Sequence, residues 1–214
     1  MHRASAFPPD FQLVLASQSP RRHSLLRDLG IPFTVVSSQA EELVSGHPAP
    51  VLAEMNALAK VRAAALPEGI LPGAYVLGTD TLVAVEGWVM GKPVSAEEAA
   101  KMLTALSGRT HQVVSGVALA RVAGDGSLGG PAEVRVGKAV TDVAFAKLDE
   151  AQIEAYLATG EWRGKAGAYA IQGLAGLWVS GLRGEYSNVV GLPLHLVADL
   201  FRASGFDLVT GRWL

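Results

Sequence analysis

The chain has 214 residues, half of them apolar and 18% charged, with a formal net charge of −2 at pH 7 and no cysteine. That apolar content suits one well-buried domain over residues 1–214 and excludes a disordered chain; the missing thiols exclude disulfides, thiolate nucleophiles and Cys-type zinc sites. No long Lys/Arg run and no apolar run of membrane-spanning length occurs, so neither nucleic acid nor a membrane is an expected partner.

Residues 1–11 lack the apolar stretch of a signal peptide and read as a loose leader, with the cytoplasm as the default compartment. Leu13 to Ala16 reads as a buried strand. Ser19 then Pro20 reads as a helix N-cap followed by proline at the first helical position, and Gly30 stops that helix. Phe33 to Val36 completes a β-loop-α-β opening. A helix is predicted over Val51 to Ala65, then a buried strand from Tyr75 to Gly78, with Asp80 at its C-terminal end. Leu82–Val85 and Trp88–Met90 flank Glu86-Gly87 as a hairpin. Capping boxes at Ser95–Glu98 and Asp149–Gln152 open helices to Leu106 and about Thr159. Between them lie two β-rich stretches, Thr110–Ala123 and Ala132–Phe145. Leu177–Val179 reads as a short strand and Pro193–Ala203 as a last helix. Units of βα mixed with hairpins predict an α/β protein with a mixed sheet.

Arg21 and Arg22 stand in the first helical turn, where the helix dipole disfavours cations. A phosphate in front of them would explain the pair; two solvated arginines are the plainer reading. Asp80 at a strand end could ligate a metal or direct water, or it could simply cap a turn. Glu41-Glu42 could join it around Mg²⁺. Lys60 on a helix and Lys92 in a Gly-Lys-Pro loop could face phosphate, and Gln172 in a glycine-rich segment offers an amide to a base edge. Gly124 to Gly129 matches G-x-G-x-x-G by letter, but strand-like alternation follows it, so it reads as a hairpin loop.

Taken together, Leu15-Ala16-Ser17-Gln18-Ser19-Pro20-Arg21-Arg22 resembles the opening signature of the Maf family of nucleoside triphosphate pyrophosphatases, long associated with septum formation. Further blocks follow in order: Glu42, Ala59-Lys60, Gly78-Thr79-Asp80-Thr81, Gly91-Lys92-Pro93, Leu106 to His111, Lys165 to Tyr169, Ile171-Gln172-Gly173 and Ser187 to Pro193. The resemblance implies an elongated α/β fold like that of inosine triphosphate pyrophosphatases, a mixed sheet with flanking helices and two lobes around a cleft. It implies Asp80 as catalytic acid-base residue, Ser17, Arg21, Arg22, Lys60 and Lys92 facing phosphates, and Glu42 with Asp80 holding Mg²⁺ or Mn²⁺. Arg22, Thr81 and Gln172 match positions that mark substrate choice, in the pattern of the dTTP/UTP branch. Related proteins are commonly dimers. One departure stands out: Gly164 replaces an acid often found before the Lys-Ala-Gly block. The expected reaction is cleavage between the α and β phosphates of a pyrimidine triphosphate. The rival reading is a non-hydrolysing nucleotide-binding regulator of cell division that acts through a protein partner.

Overall fold

A computed structural model describes residues 7–130 and 133–214. Its centre is a mixed sheet in the order β2-β1-β3-β5-β6-β7, with β4 paired to β3. Here β1 is Leu13–Leu15, β2 Thr34–Val35, β3 Tyr75–Val85, β4 Trp88–Met90, β5 Thr110–Arg121, β6 Val134–Phe145 and β7 Val179–Arg183. The β1–β2 and β1–β3 pairs are parallel and the others antiparallel. The helices are α1 (Pro20–Asp28), α2 (Ala49–Arg62), α3 (Ala96–Leu106), α4 (Glu150–Thr159), α5 (Tyr186–Val190) and α6 (Leu194–Ala203). A small hairpin of β8 (Phe206–Asp207) and β9 (Arg212–Trp213) follows.

The three long strands carry two lobes. At about 3.3 Å per residue a 12-residue strand spans about 40 Å, far more than one small core needs. One end of β3, β5 and β6 packs with α3 and α4 around Val83, Leu103, Phe145, Tyr156 and Tyr169. The other end packs with α1 and α6 around Leu15, Tyr75, Leu119 and Phe201 on one face, and with α2 around Ala57, Val61 and Val76 on the other. Helix α6 shows why: Val197, Leu200 and Phe201 are buried at the i, i+3, i+4 spacing of a single helical stripe.

Several expectations need correction. Residues 7–11 of the expected leader are not loose. The Phe7 and Phe11 rings lie 4.9 Å apart, tilted, and pack on Phe206, which draws this segment into the core; residues 1–6 lie outside the described residues. Ser19 makes no side-chain cap, so proline alone sets the start of α1. At α3 the Ser95 hydroxyl accepts from Glu98 N, but the Glu98 carboxylate turns to Val94 N, leaving half a capping box; the box at Asp149–Gln152 is complete. Leu174–Trp178 forms a 3₁₀ turn before β7. Most consequential, β3 does not stop at Gly78. It runs unbroken to Val85, so Asp80 lies mid-strand, opposite Gly116 of β5. Gly78 is there for packing: a Cβ would come within 2.6 Å of Ala57 O, and one at Gly116 within 2.0 Å of Ala53 O. These two glycines let α2 settle onto the sheet.

Candidate active site

Along one edge of β3, β1 pairs with residues 75–77 and β4 with residues 83–85. Among the described residues no strand pairs with 78–82 on that edge. The cleft opens in this gap. It holds a cavity of about 420 Å³ lined from both lobes, by Ser17 to Arg22, Glu42, Lys60, Asp80 and Thr81, and by Lys92, Arg163 to Ala166 and Tyr169 to Gln172. Every candidate residue named from the sequence lines this one cavity except Glu41, which is exposed outside it.

Successive strand residues face opposite ways, and β3 uses both faces here. Asp80, only 2% exposed, points to α2. Lys60 Nζ donates to its Oδ1 at 2.5 Å and the Asn56 amide to its Oδ2 at 2.8 Å. Lys60 also reaches Glu42 Oε1 at 2.7 Å, and Lys92 donates to both Glu42 oxygens at 2.7 and 2.8 Å. Two carboxylates and two ammonium groups thus form one lattice. Burial pushes the Glu42 carboxyl upward, but the charges and hydrogen bonds of Lys60 and Lys92 outweigh it and hold the pKa at about 2.

Thr81 points the other way. Its hydroxyl lies 2.8 Å from that of Ser115 and accepts from Arg22 Nη2 at 3.1 Å. Arg22 is buried and anchored at three points, with Nη1 to Ser17 Oγ at 3.0 Å and Nε to Gly191 O at 2.7 Å. Desolvation lowers its pKa to about 10, against the opposing pull of Asp80. It remains a cation at neutral pH. Arg21 donates from Nε to Val190 O at 3.0 Å.

The segment with Gln172 is held by side chains of the second lobe. The Tyr156 hydroxyl accepts from Ala170 N at 3.1 Å, Glu161 accepts from Leu174 N at 3.1 Å, and His111 Nε2 lies 2.9 Å from the Tyr169 hydroxyl. Burial lowers the His111 pKa to about 4 and raises that of Tyr169.

Arg163 and Lys165, which also line the cavity, carried no role in the sequence reading, and Asn56 and Ser115 escaped it as well. Asn56 is 1% exposed, and its amide brackets Leu43 as well as Asp80, accepting from Leu43 N at 2.8 Å and donating to Leu43 O at 2.9 Å. The available signal was its place four residues before Lys60, on the same helix face. Ser115 became visible only through strand register, opposite Thr81.

A family model described as Maf-like protein matches residues 12–204. A protein named dTTP/UTP pyrophosphatase from Moorella thermoacetica is 50% identical over 94% of this chain and 98% of its own length. One of the same name from Symbiobacterium thermophilum is 47% identical over 94% and 97%. Among solved structures, the Ham1 protein of Staphylococcus aureus aligns with a TM-score of 0.37 at 20% identity, over 63% of this chain and 72% of that one.

Proposed function

The chain belongs to the Maf family, and from that premise we propose that it is a nucleoside triphosphate pyrophosphatase that cuts dTTP and UTP between the α and β phosphates. The observation that carries the reading is the charge pattern of the cleft: six cationic side chains (Arg21, Arg22, Lys60, Lys92, Arg163 and Lys165) line it against two carboxylates, Glu42 and Asp80. A surplus of buried and half-buried positive charge suits a polyphosphate and little else of small size.

In this reading the cations spread the charge of the triphosphate and fix its chain for in-line attack. Asp80 takes the proton of the attacking water. Lys60 and Asn56 hold its two oxygens, so the carboxylate cannot swing away from the reacting centre. Thr81, Arg22 and Gln172 favour a pyrimidine base. The products are the nucleoside monophosphate and pyrophosphate.

The donor set fits a divalent cation such as Mg²⁺ or Mn²⁺. Glu42 and Asp80 already converge on one cationic centre, the Lys60 ammonium. Glu42 Oε2 and both Asp80 oxygens each accept one hydrogen bond and keep a second lone pair. Mg²⁺ takes few carboxylates and completes its shell with phosphate oxygens and water, so a pair such as Glu42 and Asp80 is enough protein donor for it. Held by Glu42 and Asp80, the ion would neutralise phosphate charge. No helix among the described residues is long and apolar enough to cross a membrane.

The test is a panel of nucleoside triphosphates with Mg²⁺, scoring pyrophosphate and monophosphate in equal amounts. dTTP and UTP are expected to lead the panel. Asp80→Asn is expected to lose at least about 10³-fold in kcat while still binding a non-hydrolysable UTP analogue. Release of orthophosphate in place of pyrophosphate, or near-normal turnover by the variant, would overturn the assignment.

A further inference from the structure

We propose that Lys165 and Arg21 form a clamp across the cleft that grips the polyphosphate chain from opposite lobes. The proposal rests on the nucleotide reading above and adds a residue and a geometry to it.

Most cations of the cleft are already engaged. Lys60 and Lys92 are held by Glu42 and Asp80. Arg22 is anchored to Ser17, Thr81 and Gly191. Arg163 lies 4.7 Å over the Trp162 ring, a cation–π contact at the rim. Arg21 and Lys165 are different. Arg21 donates only to a carbonyl, Val190 O, and Lys165 only to another, Arg163 O at 3.1 Å. Neither forms an ion pair among the described residues. Glu161, whose charge acts on Lys165 without an ion pair, turns its carboxylate to Leu174 N, and Gly164 brings no side chain at all.

The two cations also oppose each other. Arg21 belongs to the first turn of α1, on the lobe built around Leu15 and Phe201, and Lys165 leads into the segment that packs in the other lobe. Burial first, then the field of Arg21, lowers the pKa of Lys165 against the smaller opposing pull of Glu161. Like charges facing one cavity are costly until an anion separates them. The backbone holds Lys165 to this task. Gly167 N donates to Gly91 O at 3.1 Å, tying its loop to the one that presents Lys92. Gly167 and Ala168 both adopt left-handed φ, +66° and +63°, and a Cβ on Gly167 would meet Val83 at 2.8 Å. A buried alanine in that region is strained, a condition that gathers at functional sites.

Calorimetry with inorganic tripolyphosphate, α,β-imido-UTP and uridine tests the clamp without requiring turnover. Lys165→Ala and Arg21→Ala are each expected to weaken tripolyphosphate and the UTP analogue about tenfold or more, to flatten the salt dependence of binding, and to leave uridine binding unchanged. Lys165→Arg is expected to restore most of the loss, and the melting temperatures to stay close to that of the wild type. Because the two side chains act on one anion, the double variant should lose less than the product of the single losses. Tripolyphosphate binding by Lys165→Ala at wild-type strength, while the wild type cleaves UTP, overturns the clamp and leaves the enzymatic reading standing. Clamp-dependent binding in a wild type that cleaves no nucleotide supports the clamp and removes the enzymatic reading instead.

Discussion

Asn56 shows how much one buried amide can organise. It uses both donors and its acceptor, two on Leu43 and one on Asp80. Glu42 is the neighbour of Leu43, so the amide fixes the acid-bearing loop and the reactive carboxylate against each other. Truncation leaves Asp80 Oδ2 without its donor and frees the loop. Asn56→Ala is expected to cost about 1–3 kcal/mol of stability and about 10- to 100-fold in kcat with UTP, with KM moving less. Urea unfolding and steady-state kinetics check both. An equal loss in KM would assign Asn56 to substrate binding.

At the scale of elements, the site depends on how closely α2 approaches the sheet. Lys60 and Asn56 reach Asp80 because Gly78 and Gly116 offer no side chain between helix and strands. Gly116→Ala would press a methyl group against Ala53 O, which belongs to rigid helix backbone. It is expected to cost about 3 kcal/mol or more and to abolish most activity by lifting α2. Gly137→Ala is the comparison: its Cβ would meet the Leu196 side chain, Cδ1 nearest at 2.9 Å, and that flexible side chain can give way for about 1 kcal/mol. Denaturant midpoints of the two variants separate the cases. The same glycines explain what could be read from the sequence. The bounds of α1, α3, α4 and α6, the antiparallel pairing of Thr110–Arg121 with Val134–Phe145 and the hairpin at Glu86-Gly87 follow from local periodicity and turn chemistry, whereas α2 begins and ends two to three residues before the expected Val51–Ala65 and the short α5 was not expected. Gly78 reads locally as the end of a strand, because nothing local announces a helix lying 2.6 Å from where its side chain would stand. The arginine pair and Lys92 were legible from dipole and loop arguments. Asn56, Ser115 and the opposed Arg21–Lys165 charges were not, since each gains meaning only from a partner distant in sequence.

For the whole molecule, stability should follow pH in two separate windows. His111, in the core of the second lobe, titrates near 6.5 when unfolded but stays neutral to about 4 when folded, through burial. Between those values the unfolded chain binds more protons, so stability falls as pH drops from about 6.5 to about 4, by up to about 3 kcal/mol. Glu42 acts lower down: its stabilising contacts are intact above about 4.5 and disappear as pH falls through about 2. Melting temperatures between pH 7.5 and pH 4 are expected to drop, and His111→Gln is expected to flatten that drop while leaving the more acidic limb in place. A wild-type curve flat to pH 4.5 would count against the buried neutral imidazole.

The interrupted edge of β3 has one more effect. An uncovered strand edge ordinarily invites another polypeptide to add itself, and the usual result is self-association. Here the vacancy is only five residues long, hemmed by β1 on one side and β4 on the other. A foreign strand of ordinary length would collide with both neighbours before it could dock. The molecule can therefore leave polar main chain open to a small visitor without turning its own sheet into a template for aggregates.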